Sequence, residues 1–402
     1  MSSGDRVAYH QARFIDMLDA SFRHYGAVDG LPERLREAVA ATPRHQFVHR
    51  FRIDGPLQDH DADPEAHLAT IYSDEVMRHV DAAGEALPST NSQPSYVLWL
   101  LHLLGLEQGQ AVLEIGSGSG WLAAMMARLV GPAGRVTGIE LIADLAEQSR
   151  KDLAGFQLDN VTIMTGDGTR GHQAGAPYDR AMITAATWDV PSALFDQLRD
   201  GGKILIPIEL RGDDGCQVTL LRRRGRVLAA ERSTFGKFVP LLGAGQSRAV
   251  CSPDALSFWH TIAERPVIRY DLPLGAMPGG ASEVAGAFRA FLGRTEAGLL
   301  IDDGKPAPFG LTDAAAQSVA LWEGGVVTGY GNPTAATRLA DAYRRWAKAG
   351  LPGMAAFDLQ IHRAGEAPAP IDQQWVEQRG DAALVWRIRA GSAAQAWTVG
   401  CA

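Results

Sequence analysis

Glu114-Ile115-Gly116-Ser117-Gly118-Ser119-Gly120 places three glycines in five residues, between the apolar run AVLEI (111–115) and the run WLAAMMARLV (121–130). Glycine turns the backbone sharply and lets a ligand press against it, so a Gly-rich turn between strand and helix suits a nucleotide-bearing cofactor. Two cofactor classes use such a turn: dinucleotides and S-adenosylmethionine. A dinucleotide fingerprint wants a small residue five positions after its first glycine. Counted from Gly116, that position is Trp121, which argues against NAD and FAD. No Lys-Ser/Thr pair follows the glycines, which excludes a phosphate-binding P-loop. Two carboxylates then stand at strand ends. Glu140 closes RVTGIE (135–140), where a ribose needs an acceptor for two hydroxyls. Asp167, in Thr165-Gly166-Asp167-Gly168, follows VTIMT (161–165), where an adenine amino group could donate to it. In an open parallel sheet the three loops sit at the carboxyl ends of neighbouring strands and share one crevice.

The elements that must hold these loops are regular from residue 93 onward. Ser92-Gln93-Pro94 can cap a helix running to about Leu104. AVLEI, RVTGIE, VTIMT, DRAMIT (179–184) and KILIPI (203–208) read as strands, separated by helices at 121–130, 141–156 and 191–199. Strands alternating with helices of this length imply a parallel sheet. CQVTLLRR (216–223) and RVLAAE (226–231) flank Arg224-Gly225, a hairpin signal. Before Leu87 the chain reads as helix and loop: LPERLREAVAA (31–41) has helical spacing, and DGPLQDHDADPEAH (54–67) is polar and acidic. Beyond Pro240 the composition shifts. Pro/Gly-rich stretches at 272–282 and 303–310 separate strand-like runs (AGLLID, SVALWEGGVVTGYG, FDLQIHR), and PTAATRLADAYRRWAKAG (333–350) is a punctuated helix with Leu339, Ala342, Tyr343 and Trp346 on one face. The expectation is an α/β chain in three parts: an N-terminal helical cap over 1–92, a Rossmann-like domain over 93–248 and a C-terminal α+β domain over 249–402.

The 402 residues carry 38 Lys+Arg against 46 Asp+Glu, a net charge of −8 that disfavours nucleic acid as a partner. The longest apolar stretch, Tyr96 to Leu106, is broken by His102 and is far short of the ~20 residues that span a bilayer. Cys216, Cys251 and Cys401 lie far apart, with no metal-binding spacing. The start, MSSGDRVAYHQARF, lacks the apolar core of a secretory signal. No metal, no membrane and a cytoplasmic location are expected.

Several segments together resemble the protein-L-isoaspartate O-methyltransferases: VLEIGSGSGWLAA, VTGIEL, TGDGT, APYDRAMITAA and LRDGGKILIPI, with Thr42-Pro43-Arg44-His45-Gln46-Phe47-Val48, Tyr72-Ser73-Asp74, Thr90-Asn91-Ser92-Gln93-Pro94 and Phe238-Val239-Pro240-Leu241 outside them. The resemblance covers roughly 31–245. It implies a class I methyltransferase fold, S-adenosylmethionine as methyl donor (leaving as S-adenosylhomocysteine) and a peptide or protein carboxylate as acceptor. It implies roles as well: Ser92 as the active-site serine, with Thr90 and Asn91 beside it on the substrate; Gly116, Ser117 and Gly118 along the methionine moiety; Glu140 and Leu141 at the ribose; Asp167 and Gly168 at the adenine edge; Thr184 lining the crevice. Asn91 stands where the family carries an aliphatic residue, 51–89 is longer than a repair enzyme needs, and about 150 residues follow the family core. YRRWAKAGLPGMAAFDL is similar to the tails of relatives that act beside ATP-grasp enzymes on ribosomal peptides, alongside lanthipeptide and lasso peptide counterparts.

Methyl transfer to a carboxylate suits this inventory. The acceptor is already ionised at pH 7, since Asp titrates near ~3.9, so positioning rather than a strong base dominates. Three functions are therefore expected to compete: O-methylation of one Asp in a modified ribosomal peptide, with the ester going on to aspartimide; repair methylation of isoaspartate; and, from another class, a non-catalytic peptide-binding scaffold. His45 and His49 read as packing or surface residues, Arg222-Arg223-Arg224 as a solvated turn, and Trp259, Trp322, Trp346, Trp375, Trp386 and Trp397 as core aromatics or the lining of a peptide groove.

Overall fold

The computed structural model describes residues 2–211, 215–244, 266–272, 281–301, 309–323 and 325–389. Cys251, Cys401, Trp259 and Trp397 lie outside them. The described chain falls into two compact units, one of residues 2–208 with 217–244, the other of 209–216 with the described residues from 266 on. Residues 2–92, the segment read as an N-terminal cap, fall in the first unit.

Three helices open the chain: α1 (Ser3–His24), α2 (Glu33–Ala40) and α3 (Pro64–Ile71). Ser2 and Asp5 close a reciprocal capping box on α1. Between and after α2 and α3 run four short strands, β1 (Arg50–Arg52), β2 (Leu57–Asp59), β3 (Met77–Val80) and β4 (Ala86–Asn91), in the antiparallel order β2-β1-β3-β4. The expectation of helix and loop alone before Leu87 is corrected here. DGPLQDHDADPEAH holds β2 and the start of α3.

The chemistry-bearing part follows the expected plan. Helix α4 (Pro94–Leu104) leads into β5 (Ala111–Ile115), α5 (Trp121–Val130), β6 (Arg135–Glu140), α6 (Ala143–Ala154), β7 (Val161–Thr165), β8 (Tyr178–Ile183), α7 (Ser192–Gln197), β9 (Leu198–Glu209), β10 (Cys216–Arg224) and β11 (Val227–Gly236). Their spatial order is β11-β10-β9-β8-β5-β6-β7, parallel from β9 to β7. A two-residue turn, Gly225-Arg226, joins β10 to its neighbour β11, one residue later than Arg224-Gly225 suggested. Order β8-β5-β6 puts the topological switch beside β5, where a crevice opens at the carboxyl ends of the strands. β5 is buried throughout, as its unbroken apolar run requires.

The second unit carries a five-stranded antiparallel sheet. Its strands are β12 (Pro266–Asp271), β13 (Leu299–Ile301), β14 (Phe309–Asp313), β15 (Ser318–Glu323) and β16 (Val326–Tyr330), in the order β12-β16-β15-β14-β13. With it come α8 (Ala281–Thr295), α9 (Thr334–Lys348) and the antiparallel set β18 (Gln374–Gln378), β19 (Ala382–Ile388) and β17 (Phe357–Arg363). Leu339, Ala342, Tyr343 and Trp346 of α9 are all buried, the face its spacing predicts. Phe288 packs against Phe309, Trp322, Tyr343 and Trp346, with ring centroids 5.1–5.9 Å apart. Trp322, Trp346 and Trp386 are therefore core residues, and Trp375 stacks edge-on to Phe291. Cys216 is buried.

Candidate active site

β5 ends in the glycine loop because Gly116 takes φ +86° and Gly118 φ +54°, backbone that side chains resist. A Cβ at Gly116 would stand 2.9 Å from Thr184 Oγ1. Thr184, just beyond β8, donates its hydroxyl to Gly116 O at 2.7 Å, and its N–H to Ile115 O at 3.0 Å. The side chain expected to line the crevice thus spends its proton holding the loop. Gly168 is tied by packing, since a Cβ there would meet Ile115 Cγ2 at 2.3 Å.

Glu140 ends β6 and is buried. Its Oε2 accepts the Gly118 N–H and its Oε1 the Ile142 N–H, both at 2.9 Å. Each carboxylate oxygen keeps further acceptor capacity, so two ribose hydroxyls remain within its chemistry. Leu141 follows with 39% of its side chain exposed, an apolar surface beside the polar acid. Asp167 is half-buried. Oδ1 accepts Thr169 N–H and Oγ–H, and Oδ2 accepts Ala244 N–H at 2.8 Å. Burial pushes its pKa up, but these donors outweigh it, and the carboxyl lies below its usual range. The Ala244 contact follows from the strand-like path of Phe238-Val239-Pro240-Leu241. That path docks beside β8 through Ala186 N–H to Val239 O and Leu241 N–H to Ala186 O.

Glu114, inside β5, is a functional candidate that the motif analysis passed over. It is 1% exposed, and neither oxygen has a hydrogen-bond partner. Burial first, and the Glu140 charge second, push its carboxyl up to about 8. An unpartnered buried acid has no structural benefit to offset its desolvation, so it marks a place for a cationic or donor group. Its signal in the sequence was the lone charge inside AVLEI. The Ser117 hydroxyl is likewise buried and unpartnered.

Ser92 lies between β4 and α4, half-buried, and among the described residues its hydroxyl has no partner. It is not a helix cap: Gln93 occupies that position, and no side chain caps α4. Its backbone is held by two of the segments singled out above. Arg44, buried beneath it, donates Nη1 to Ile71 O at 3.0 Å and Nη2 to Ser92 O at 3.4 Å, with its guanidinium 5.4 Å from the Trp121 ring centroid. Asp74 accepts the Gln93 side-chain amide, the Ser95 N–H and the Ser95 hydroxyl. Trp121, the residue that disfavoured a dinucleotide, donates Nε1 to Thr42 O at 2.9 Å and so docks the amino-terminal segment on α5. Thr90 is half-buried one residue before Asn91, so β4 points it to the opposite face. Asn91 is buried, its Oδ1 accepting from Ser119 Oγ at 3.0 Å and its Nδ2 facing His79 Nδ1 at 3.4 Å. His45 hydrogen-bonds Tyr72 and His49 pairs with Asp152, packing roles both. Arg222 and Arg223, read as a solvated turn, are engaged in the hairpin, Arg222 with Glu231 and Gly201 O and Arg223 with Gly225 O.

These residues fit S-adenosylmethionine. Glu114 and Ser117 offer unpartnered buried polar atoms, the glycines clear the backbone, Glu140 offers acceptors to a ribose, and Asp167 with Leu141 offers an acid and an apolar edge. Among the described residues, no group of three or more His, Cys, Asp or Glu is placed to hold a metal, and no helix is long and apolar enough to cross a membrane.

Comparison with known proteins agrees with this geometry. Residues 20–246 match the family model described as Protein-L-isoaspartate(D-aspartate) O-methyltransferase (PCMT). A protein-L-isoaspartate O-methyltransferase of Methanothrix thermoacetophila is 35% identical over 228 residues, 57% of this chain and 94% of its own. One of Ignicoccus hospitalis is 43% identical over 143 residues, 35% of this chain and 68% of its own. A solved structure named protein-L-isoaspartate O-methyltransferase shares the fold at a TM-score of 0.53 and 22% identity, over 88% of this chain and 96% of its own. A family match across more than half the chain, on the segment that builds the crevice, settles the assignment: the chain belongs to the protein-L-isoaspartate(D-aspartate) O-methyltransferases, S-adenosylmethionine-dependent carboxyl methyltransferases.

Proposed function

We propose that the chain methylates the side-chain carboxylate of one Asp in a ribosomally made, modified peptide, and that the ester goes on to an aspartimide. The observation that carries this reading is the second unit, with its own aromatic core around Phe288 and two antiparallel strand sets. Ordinary Asp carboxylates are chemically alike. An enzyme that modifies one of them must discriminate by binding remote parts of its substrate, and an additional folded body supplies surface for that.

Bound S-adenosylmethionine supplies an electrophilic methyl group. The chain must then hold an ionised carboxylate in line with it and keep water out. The free hydroxyl of Ser92 donates one hydrogen bond that orients the acceptor, on a backbone pinned by Arg44 and Asp74. One acceptor oxygen gains the methyl as the carbon–sulfur bond breaks, and its pair stays on sulfur. The following backbone nitrogen of the peptide then attacks the ester carbonyl, loses its proton and expels methanol.

Repair of isoaspartate is the second reading. It is favoured by the solved structure of that name, which shares the fold over 88% of this chain and so extends past residue 246. Competing the two substrates separates the readings. The intact protein is incubated with a cyclised Asp-bearing peptide and with a linear isoaspartyl peptide, and products are followed by mass spectrometry. Faster esterification of the constrained peptide, followed by loss of methanol, supports tailoring. Equal or faster methylation of the isoaspartyl peptide overturns it in favour of repair.

A further inference from the structure

His79 sits on β3 with its ring turned inward, 4% exposed. It belongs to the short antiparallel sheet before α4, and no role has been assigned to it above. Its Nδ1 faces Asn91 Nδ2, and an amide NH₂ can only donate, so Nδ1 is the acceptor. Asn91 is held in that sense because its Oδ1 receives the Ser119 hydroxyl. Burial, with Arg44 adding to it, pushes the imidazole pKa down to about 4, so the ring is neutral at pH 7. A neutral imidazole whose Nδ1 accepts carries its one proton on Nε2.

That Nε2–H has no partner among the described residues. It points at the cofactor loop, since a Cβ built on Gly118 would lie 3.3 Å from it. A donor more than nine-tenths buried and left unpaired has lost its water without replacement, a cost that an arriving acceptor removes. The register explains why the ring is there: Met77 pairs with Asn91 and Arg78 with Thr90, so β3 and β4 bring His79 and Asn91 together directly before Ser92. The buried Asn91 amide thereby gains a use: it sets the tautomer of His79.

We propose that His79 Nε2–H is a second donor in the crevice, taking a carboxylate that enters over Gly118, with Ser119 and Asn91 as the positioning residues that fix its proton. The carboxylate has two possible sources, the acceptor side chain of the peptide or the α-carboxylate of the methyl donor. The proposal rests on carboxyl methyl transfer at this site and holds whether the substrate is a tailored or a damaged peptide.

The test uses the full chain as wild type, His79→Gln, which keeps an N–H near Nε2, and His79→Ala, each checked for unchanged unfolding temperature. Calorimetry gives the affinity for S-adenosylhomocysteine and for its analogue lacking the α-carboxylate, and turnover of the isoaspartyl or the cyclised Asp-bearing peptide, whichever the wild type methylates faster, gives KM and kcat. If the cofactor supplies the carboxylate, His79→Ala loses tenfold or more in affinity for S-adenosylhomocysteine but none for the analogue. If the substrate supplies it, both cofactor affinities hold and KM for the peptide rises tenfold or more. In either case His79→Gln recovers part of the loss, and Asn91→Leu reproduces it in weaker form. Nitrogen-15 spectra of the histidines provide a readout independent of turnover, the Nε2 resonance shifting on addition of the ligand that carries the carboxylate. A folded His79→Ala within twofold of wild type in both cofactor affinities and in KM, together with a wild-type His79 Nε2 resonance that no ligand moves, overturns the proposal. Absence of turnover in the wild type with both the isoaspartyl and the cyclised Asp-bearing peptide would instead count against the methyl-transfer reading, which the binding and spectral arms do not require.

Discussion

Asp74 and Ser95 are joined twice: Asp74 Oδ1 accepts the Ser95 N–H at 2.8 Å, and Oδ2 accepts the Ser95 hydroxyl at 2.6 Å. Ser95 spends its proton on Asp74, so the Tyr25 hydroxyl, 2.9 Å away, donates to Ser95 in turn. With Gln93 also donating to Asp74, one carboxylate organises the first turn of α4 and the residues just after Ser92. Asp74→Ala strands a backbone N–H and two side-chain donors. Bonds to a charged acceptor contribute about 1.5–3 kcal/mol each, so the variant should lose at least that of one. The unfolding free energy from denaturant titration should fall by that amount, with kcat falling as well because Ser92 loses its fixed place. Asp74→Asn, which keeps one acceptor, should lie between.

Ser92 itself has the opposite profile. Its hydroxyl has no partner among the described residues, so Ser92→Ala removes nothing the fold depends on. One hydrogen bond to a charged acceptor, about 1.5–3 kcal/mol, corresponds to roughly ten- to a hundredfold in turnover. We expect that loss in kcat/KM, with unfolding temperature and S-adenosylhomocysteine affinity unchanged. A lowered unfolding temperature with full activity would return Ser92 to a structural role.

The parallel core was legible because its strands are apolar runs bounded by glycines, and because Glu140 and Asp167 interrupt that pattern at the strand ends. The amino-terminal sheet was not. Arg50–Arg52 and Leu57–Asp59 are three residues long and partly charged, too short to show a period of two. Trp121 was read correctly as unsuited to a dinucleotide, but its bond to Thr42 O joins residues 79 apart and has no local signal. Thr184 was placed at the crevice by resemblance, and only the backbone path shows that its proton goes to Gly116 O. Glu114 stood in plain sight as the one charge in AVLEI. Its meaning came from burial without a partner, which a sequence does not display.

The second unit depends on Phe288, which is fully buried among four aromatic rings. Truncating such a phenylalanine costs about 3–5 kcal/mol. Phe288→Ala should therefore destabilise this unit by that amount, read by the fluorescence of Trp322 and Trp346 during denaturant unfolding. S-adenosylhomocysteine affinity, which draws on Glu140 and the glycine loop, should hold at denaturant concentrations below that transition.

The last prediction concerns pH and Glu114. Burial, then the Glu140 charge, raises its carboxyl from the ordinary 4.5 to about 8 in the folded chain. Between those values the native state keeps a proton that the unfolded chain has released, so stability falls as pH rises, at up to about 1.4 kcal/mol per pH unit for one such group. Glu114→Gln, which is neutral throughout, should flatten that part of the stability profile between about pH 5 and pH 8, seen as denaturant midpoints that converge with wild type at low pH and exceed it at high pH. The same proton reports on the cofactor. S-adenosylmethionine carries a cationic amino group and a sulfonium, and a positive charge near Glu114 favours its ionised form. Binding at pH 7 should therefore release up to one proton. Calorimetric enthalpies measured in phosphate and in Tris should differ by the difference in buffer ionisation enthalpy times that fraction. Glu114→Gln should bind with an enthalpy independent of the buffer. A wild-type enthalpy that is already the same in both buffers would mean that Glu114 keeps its proton in the complex and does not meet the cofactor's positive charge.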